Sequence, residues 1–195
     1  MSKSKIFAFF VFISVSMSSH AESKSVFGFE LGEDFNAVYC KGYTSHPKEG
    51  YCIVQNKDKE LKNEKDATSG QFTILFKYND LPFWTGSKIT AQLVEGKLEG
   101  IIASTGGRTT HISVSQDLLK KYGEPQSIIN SEVQNQMGNK FDNNIMLWDL
   151  GNISITYIPI LGDLKSGKIE FFTKKGRVAH ERDIEETIKP PTRGL

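Results

Sequence analysis

The chain has 195 residues, with 24 Lys plus Arg against 23 Asp plus Glu, 38% hydrophobic and 11% aromatic residues, and two cysteines. These proportions belong to ordinary globular domains and exclude collagen, coiled coil, low-complexity disorder and a disulfide-dense miniprotein. A net charge near zero supplies no bulk field to attract nucleic acid or an anionic lipid surface, so neither is an expected partner.

The first 21 residues read as a leader. Lys3 and Lys5 precede an apolar run over 6–15, and Ser19-His20-Ala21 offers a small-x-small cleavage site, which predicts a signal peptide over 1–21 cleaved after Ala21. Removing Lys3 and Lys5 with it leaves 22 basic and 23 acidic side chains, a formal charge of −1 on a mature chain starting at Glu22. An apolar segment of roughly ten residues falls short of the roughly 20 needed to span a bilayer, and no later stretch is long and apolar enough. No Cys follows the cleavage site for lipidation. The expected product is periplasmic or secreted, without stable membrane insertion.

Cys40 and Cys52 are the two thiols, and an oxidising compartment would join them as a disulfide through a turn containing Gly42, Pro47 and Gly50. Such a loop stabilises the fold by about 3 kcal/mol in the chain-entropy estimate. A reactive thiol would need a base such as His46 and protection from oxidation, and the spacing is not a zinc pattern. No metal and no cofactor is expected.

Along the mature chain, residues 26–31 read as a short strand or extended entry ending at Gly32. Glu33 and Asp34 in a first turn, Phe35, Val38 and Tyr39 at helical spacing and a stop at Gly42 predict a helix. The disulfide would then tie the end of that helix to the next strand. Strands are predicted over 51–54, 72–78, 89–94 and 98–103, the last two joined by Glu95-Gly96-Lys97. Between the first two lies a mixed-charge insertion over 57–70, read as a solvated loop or short exposed helix because its signs interleave. Ser113 is placed to cap a second helix with Leu118, Leu119 and Tyr122 on its buried stripe, stopped by Gly123-Glu124-Pro125. Strands follow over 127–133, 144–150, 153–159 and 168–173, and a terminal helix over 177–189. Trp148 alternates with Met146 and Leu150 on the inner face of its strand, while Lys174, Lys175 and Arg177 beside Phe171 and Phe172 suggest a lysine-guarded edge strand. The expectation is α+β: an antiparallel sheet with helices on one face, built of two helix-plus-four-strand halves, 22–105 and 106–195, in one compact unit.

With Phe29-Glu30-Leu31-Gly32 before one helix and Lys121-Tyr122-Gly123-Glu124-Pro125 closing the other, this succession resembles the small exported modules of the SmpA/BamE and β-lactamase-inhibitor-protein type. The resemblance implies an antiparallel sheet with helices on one face and a protein-binding role.

The common catalytic signatures are missing: no Gly-x-Ser-x-Gly, His-Glu-x-x-His, Ser-x-x-Lys, phosphate-binding Gly-x-x-x-x-Gly-Lys or Cys-x-x-Cys. No catalytic residue is assigned, and His46, His111 and His180 read as exposed or structurally hydrogen-bonded. Two segments remain as candidate sites. Gly106, Gly107, Arg108, Thr109 and His111 could surround an anion or small ligand near a helix start; the alternative is a connector between the halves. Phe83 and Trp84, in a loop bounded by Pro82 and Gly86, could anchor a partner or close the edge of the core. The function read from the sequence is an exported, non-catalytic interaction module binding a protein or envelope component. The alternatives are an exported hydrolase or transferase in which His111, Arg108 and a carboxylate such as Glu99 converge in a central cleft, and a small-ligand carrier with a cleft between the halves. The oligomeric state is left open.

Overall fold

The computed structural model describes residues 25–36, 38–40, 47, 50–55, 68–77 and 80–188. The leader, His46 and the charged stretch over 57–67 lie outside the described residues.

The runs of β-branched and aromatic residues form strands as their alternation requires. A short hairpin of β1 (Ser25–Val26) and β2 (Phe29–Glu30) turns at Phe27 and Gly28, both at positive φ. Next come β3 (Tyr51–Gln55), β4 (Gly70–Phe76), β5 (Thr85–Val94) and β6 (Lys97–Thr105). Glu95 and Gly96 turn the β5–β6 hairpin at φ 53° and 80°, the two left-handed positions that a tight turn matching strand twist demands. A 3-10 turn over Gly107–Thr109 leads into α1 (His111–Tyr122), and then follow β7 (Ser127–Ile129), β8 (Glu132–Gln134), β9 (Lys140–Asp142), β10 (Ile145–Asp149), β11 (Ile153–Ile158), β12 (Gly167–Thr173) and α2 (Lys174–Ile188).

Eight strands form one sheet in the order β3-β4-β5-β6-β12-β11-β10-β7, every pairing antiparallel. The fold is therefore α+β, and its two four-stranded meanders join edge to edge, with Ile101 of β6 opposite Phe171 of β12. β8 and β9 stand apart as a hairpin. The single strand expected over 127–133 is divided between β7 and β8, and Asn143 pins the base of the hairpin by exchanging side-chain hydrogen bonds with the backbone of Ile160.

The helices do not share a face. Adjacent residues of a strand point to opposite sides. Phe171 meets Tyr122 of α1 and Phe27 of the N-terminal hairpin, each at a centroid separation of 6.0 Å, whereas Phe172 stacks on His180 of α2 at 4.9 Å. So α1 and the hairpin cover one face and α2 crosses the other, which corrects the one-face arrangement. The apolar core lies on the α1 side, where Phe72, Ile74, Ile89, Ile101, Ile155, Tyr157 and Phe171 meet Val114 and Leu118. β12 is a central strand and not an edge, because β6 and β11 flank it.

The helix expected after Gly32 is absent among the described residues, and the first half contributes four strands to the eight-stranded sheet beside the β1–β2 hairpin. Backbone partners outside the segment take the groups a helix would use: Gly32 N–H donates to Leu98 O at 2.7 Å, Leu98 N–H to Glu33 O at 3.0 Å and Phe35 N–H to Gly96 O at 2.9 Å. The Phe35 ring packs on Phe29 and Tyr51, at centroid distances of 5.6 and 6.2 Å. Further on, Cys40 N–H donates to Ile53 O and Ile53 N–H to Val38 O, both at 3.0 Å, so residues 38–40 run along the outer edge of β3. The expected Cys40–Cys52 disulfide is present, and what it staples is that edge-covering segment. Helix starts also shift. Thr110, not Ser113, precedes α1, and α2 begins at Lys174 because the Thr173 hydroxyl accepts from Gly176 N–H at 3.0 Å.

Replacing both cysteines by Ala is expected to lower unfolding stability by about 3 kcal/mol. Denaturant midpoints of the variant and of the reduced wild type should fall together below the oxidised wild type, and the Ile53 amide should lose hydrogen-exchange protection.

Candidate functional site

The loop between β4 and β5 separates its two aromatics. Trp84 turns inward, 5% exposed, and donates its indole N–H to Asp117 Oδ2 of α1 at 2.6 Å; its ring lies 6.1 Å from Phe27. Phe83 is 80% exposed. The expected pair of partner anchors thus resolves into one buried tie between loop and helix and one free apolar knob.

Beside that knob lies a groove of about 550 Å³ between the β1–β2 hairpin, the loop and α1. Val26, Phe27, Trp84, Leu118, Tyr122 and Phe171 make it apolar, and Asp80 and Lys120 stand among its lining as charged groups. Lys121 belongs to the same wall: its ammonium donates to Ser25 O at 2.7 Å and sits 5.3 Å from the Tyr122 ring centre, and burial lowers its pKa. The hairpin is therefore held over α1 by a charged hydrogen bond. This groove was not read from the sequence, because its walls come from residues 26–28, 80–84, 117–122 and 171, which only the fold brings together.

The Gly106–His111 segment is built as a junction. Gly107 is buried at φ 60°, and a Cβ there would collide with the backbone of Leu164, Lys165 and Ser166. Arg108 lays its guanidinium 4.7 Å over the Phe141 ring, and Thr109 and Thr110 return their hydroxyls to Gly106 O and Gly107 O. His111 stacks on Tyr157, with Nδ1 3.1 Å from the Tyr157 hydroxyl and 3.3 Å from Ser115 Oγ. Burial lowers the His111 pKa and raises that of Tyr157, which favours the uncharged form of each ring. Each named side chain is thus engaged within the protein.

His111, Arg108 and Glu99 do not converge. Glu99 accepts from the Thr173 hydroxyl, four residues along β12 from Ile169, the partner of Tyr157; that is about 13 Å of strand. Along the sheet the halves are joined by the hydrogen-bonded β6–β12 pair, and the groove between the N-terminal hairpin, the β4–β5 loop and α1 draws its walls from both halves. Among the described residues no group of three or more His, Cys, Asp or Glu could hold a metal ion, and no helix is long and apolar enough to cross a membrane.

His180, expected on a charged helical stretch, is buried to 8% exposure beneath α2. Around it, Gln71 donates to His180 Nδ1 at 3.1 Å, Gln92 to Asp183 at 2.9 Å and Arg177 to Glu170 at 2.7 Å. The spacing of Gly176, Ala179, His180 and Asp183 was the available signal, but without large apolar residues it does not read as an inner face.

No family model matches the chain, and no curated protein and no solved structure matches it.

Trp84→Ala is expected to lower stability by about 3–5 kcal/mol, as the loss of a buried aromatic does. Phe83→Ser should shift it by no more than about 0.5 kcal/mol. Thermal and denaturant unfolding of the two variants side by side checks the division between tie and knob.

Proposed function

We propose that the chain is an exported, non-catalytic interaction module that receives an apolar side chain of a protein or envelope partner in the groove beside Phe83, with Phe83 as the exposed anchor. The observation that carries this reading is the juxtaposition of an 80% exposed Phe with an apolar groove of about 550 Å³. Large exposed aromatics next to desolvated pockets are where binding energy concentrates. The walls are fixed in advance by the Trp84–Asp117 and Lys121–Ser25 hydrogen bonds, which reduces the ordering cost of association. Export is supported by the leader-like N-terminus and the Cys40–Cys52 disulfide. The resemblance to SmpA/BamE and β-lactamase-inhibitor-protein modules points to the same role.

A photo-crosslinking residue at position 83 of a chain starting at Glu22, applied to the native envelope fraction, should capture one partner in stoichiometric yield. Phe83→Ser should reduce retention of that partner on the tagged chain at least tenfold while leaving the thermal midpoint in place. Capture that Phe83→Ser does not change would overturn the assignment.

A further inference from the structure

The two helices are attached by different physics. α1 inserts Val114 and Leu118 into the apolar core, but among the described residues that core takes none from α2. Under α2 the buried groups are Gly176, Ala179 and His180, set against Gln92, Glu170 and Phe172 of the sheet. Close approach is possible because Gly100 leaves room for the Phe172 ring and Gly176 for the backbone of Glu99. The first turns are held firmly: Arg177 bridges to Glu170 at 2.7 Å and covers the Phe172 ring at 4.4 Å, and Lys168 adds a second ion pair to Glu170 at 2.6 Å. Beyond Ala179 the described side chains meet the sheet through the His180 ring stacked on Phe172 and through amide contacts of Gln71 to His180 and Gln92 to Asp183, and the buried Gln92 Oε1 has no hydrogen-bond partner. Such an interface gains little from burial and already carries an unsatisfied acceptor.

We propose that α2 from Ala179 onward is an acid-released latch, in which protonation of His180 frees this part of the helix from the sheet while its first turns and the sheet stay folded. The geometry sets the chemistry. The Gln71 amide nitrogen donates to Nδ1, so the ring is neutral with its proton on Nε2; a proton added at Nδ1 meets a donor and has to be accommodated in a buried position against Phe172. The charged groups facing the ring are Glu170 and Lys168 from β12 and Arg177 and Asp183 from α2; β4 and β5 present the neutral Gln71 and Gln92. Burial lowers the His180 pKa, with Arg177 and Lys168 assisting and Glu170 and Asp183 opposing. A depressed value in the docked state makes docking strongest above the ordinary histidine pKa of about 6.5 and weaker as pH falls below it. Burial pushes the Glu170 carboxyl up, but hydrogen bonds from Lys168 and Arg177 outweigh this and hold it below its ordinary range, so the anchor of the first turns survives the same acidification.

Hydrogen exchange of the full chain, read by mass spectrometry from about pH 7.5 to about pH 5 with intrinsic rates corrected, tests this directly. Expected is an opening of residues 179–188 that grows up to about tenfold per pH unit below the histidine range, with protection of β10–β12 unchanged. His180→Phe keeps a ring on Phe172 and should abolish the pH dependence. Gln71→Glu, which gives the imidazolium an acceptor, should keep the segment protected in acid. Protection of 179–188 that is independent of pH, simultaneous loss in helix and sheet, or an unchanged acid response in His180→Phe would each overturn the proposal.

Discussion

Because Ile101 lies opposite Phe171 and Gly100 opposite Phe172, the β6–β12 ladder assigns every side chain of the central sheet to one of two layers. Odd-numbered residues of β12 from Ile169 to Phe171 build the core under α1, while Glu170 and Phe172 receive α2. A slip of one residue would bring Phe172 to the core face and bury the Glu170 carboxylate among apolar side chains without Arg177 or Lys168. It would also set a side chain against the space that Gly100 leaves open. The same ladder joins the two meanders, so correct register here is the condition for a single sheet and for both helix docks.

The ends of that sheet are managed differently. On β3, residues 38–40 add backbone hydrogen bonds, and the disulfide prevents this short segment from peeling away, which entropy would otherwise favour for so few contacts. At the opposite end β7 is three residues long, and shortness limits how much ladder it can offer, although Ile128 and Ile129 are about half exposed. A covered edge at one end with a stub at the other restricts unspecific strand addition.

The sequence made much of the second half legible. Alternation placed β10, β11 and β12 within a residue or two, and Trp148, 3% exposed with its indole N–H on Gly123 O, fills the inward position expected of it. The disulfide was legible because two thiols allow one pairing. The helix over 33–42 was misread because Phe35, Val38 and Tyr39 have the i, i+3, i+4 spacing of a helix face, yet that spacing says nothing about Leu98, Gly96 and Ile53, whose backbones capture the segment. The inner faces were legible only where they are apolar. α1 displayed Leu118 and Tyr122, whereas α2 turns Ala179, His180 and Asp183 inward, a pattern that any solvated helix could show. Phe83 and Trp84 could not be divided by composition, because the discriminating partner, Asp117, is 33 positions away.

The contrast between the two docks explains how one small fold can hold a preformed surface and a less stable element together. On the α1 face, apolar burial is roughly proportional to area and insensitive to pH, and it adds to the Trp84–Asp117 and Lys121–Ser25 hydrogen bonds that hold the groove walls. On the α2 face, attachment rests on hydrogen bonds and ion pairs whose net contribution is small because water offers the same partners to the released helix. Differential stability of this kind concentrates motion in the polar layer and rigidity in the apolar one. The groove and the latch therefore lie on opposite faces of one sheet, coupled through the residues of β12 that alternate between them, and a change in the register or tilt of that strand would be felt on both sides.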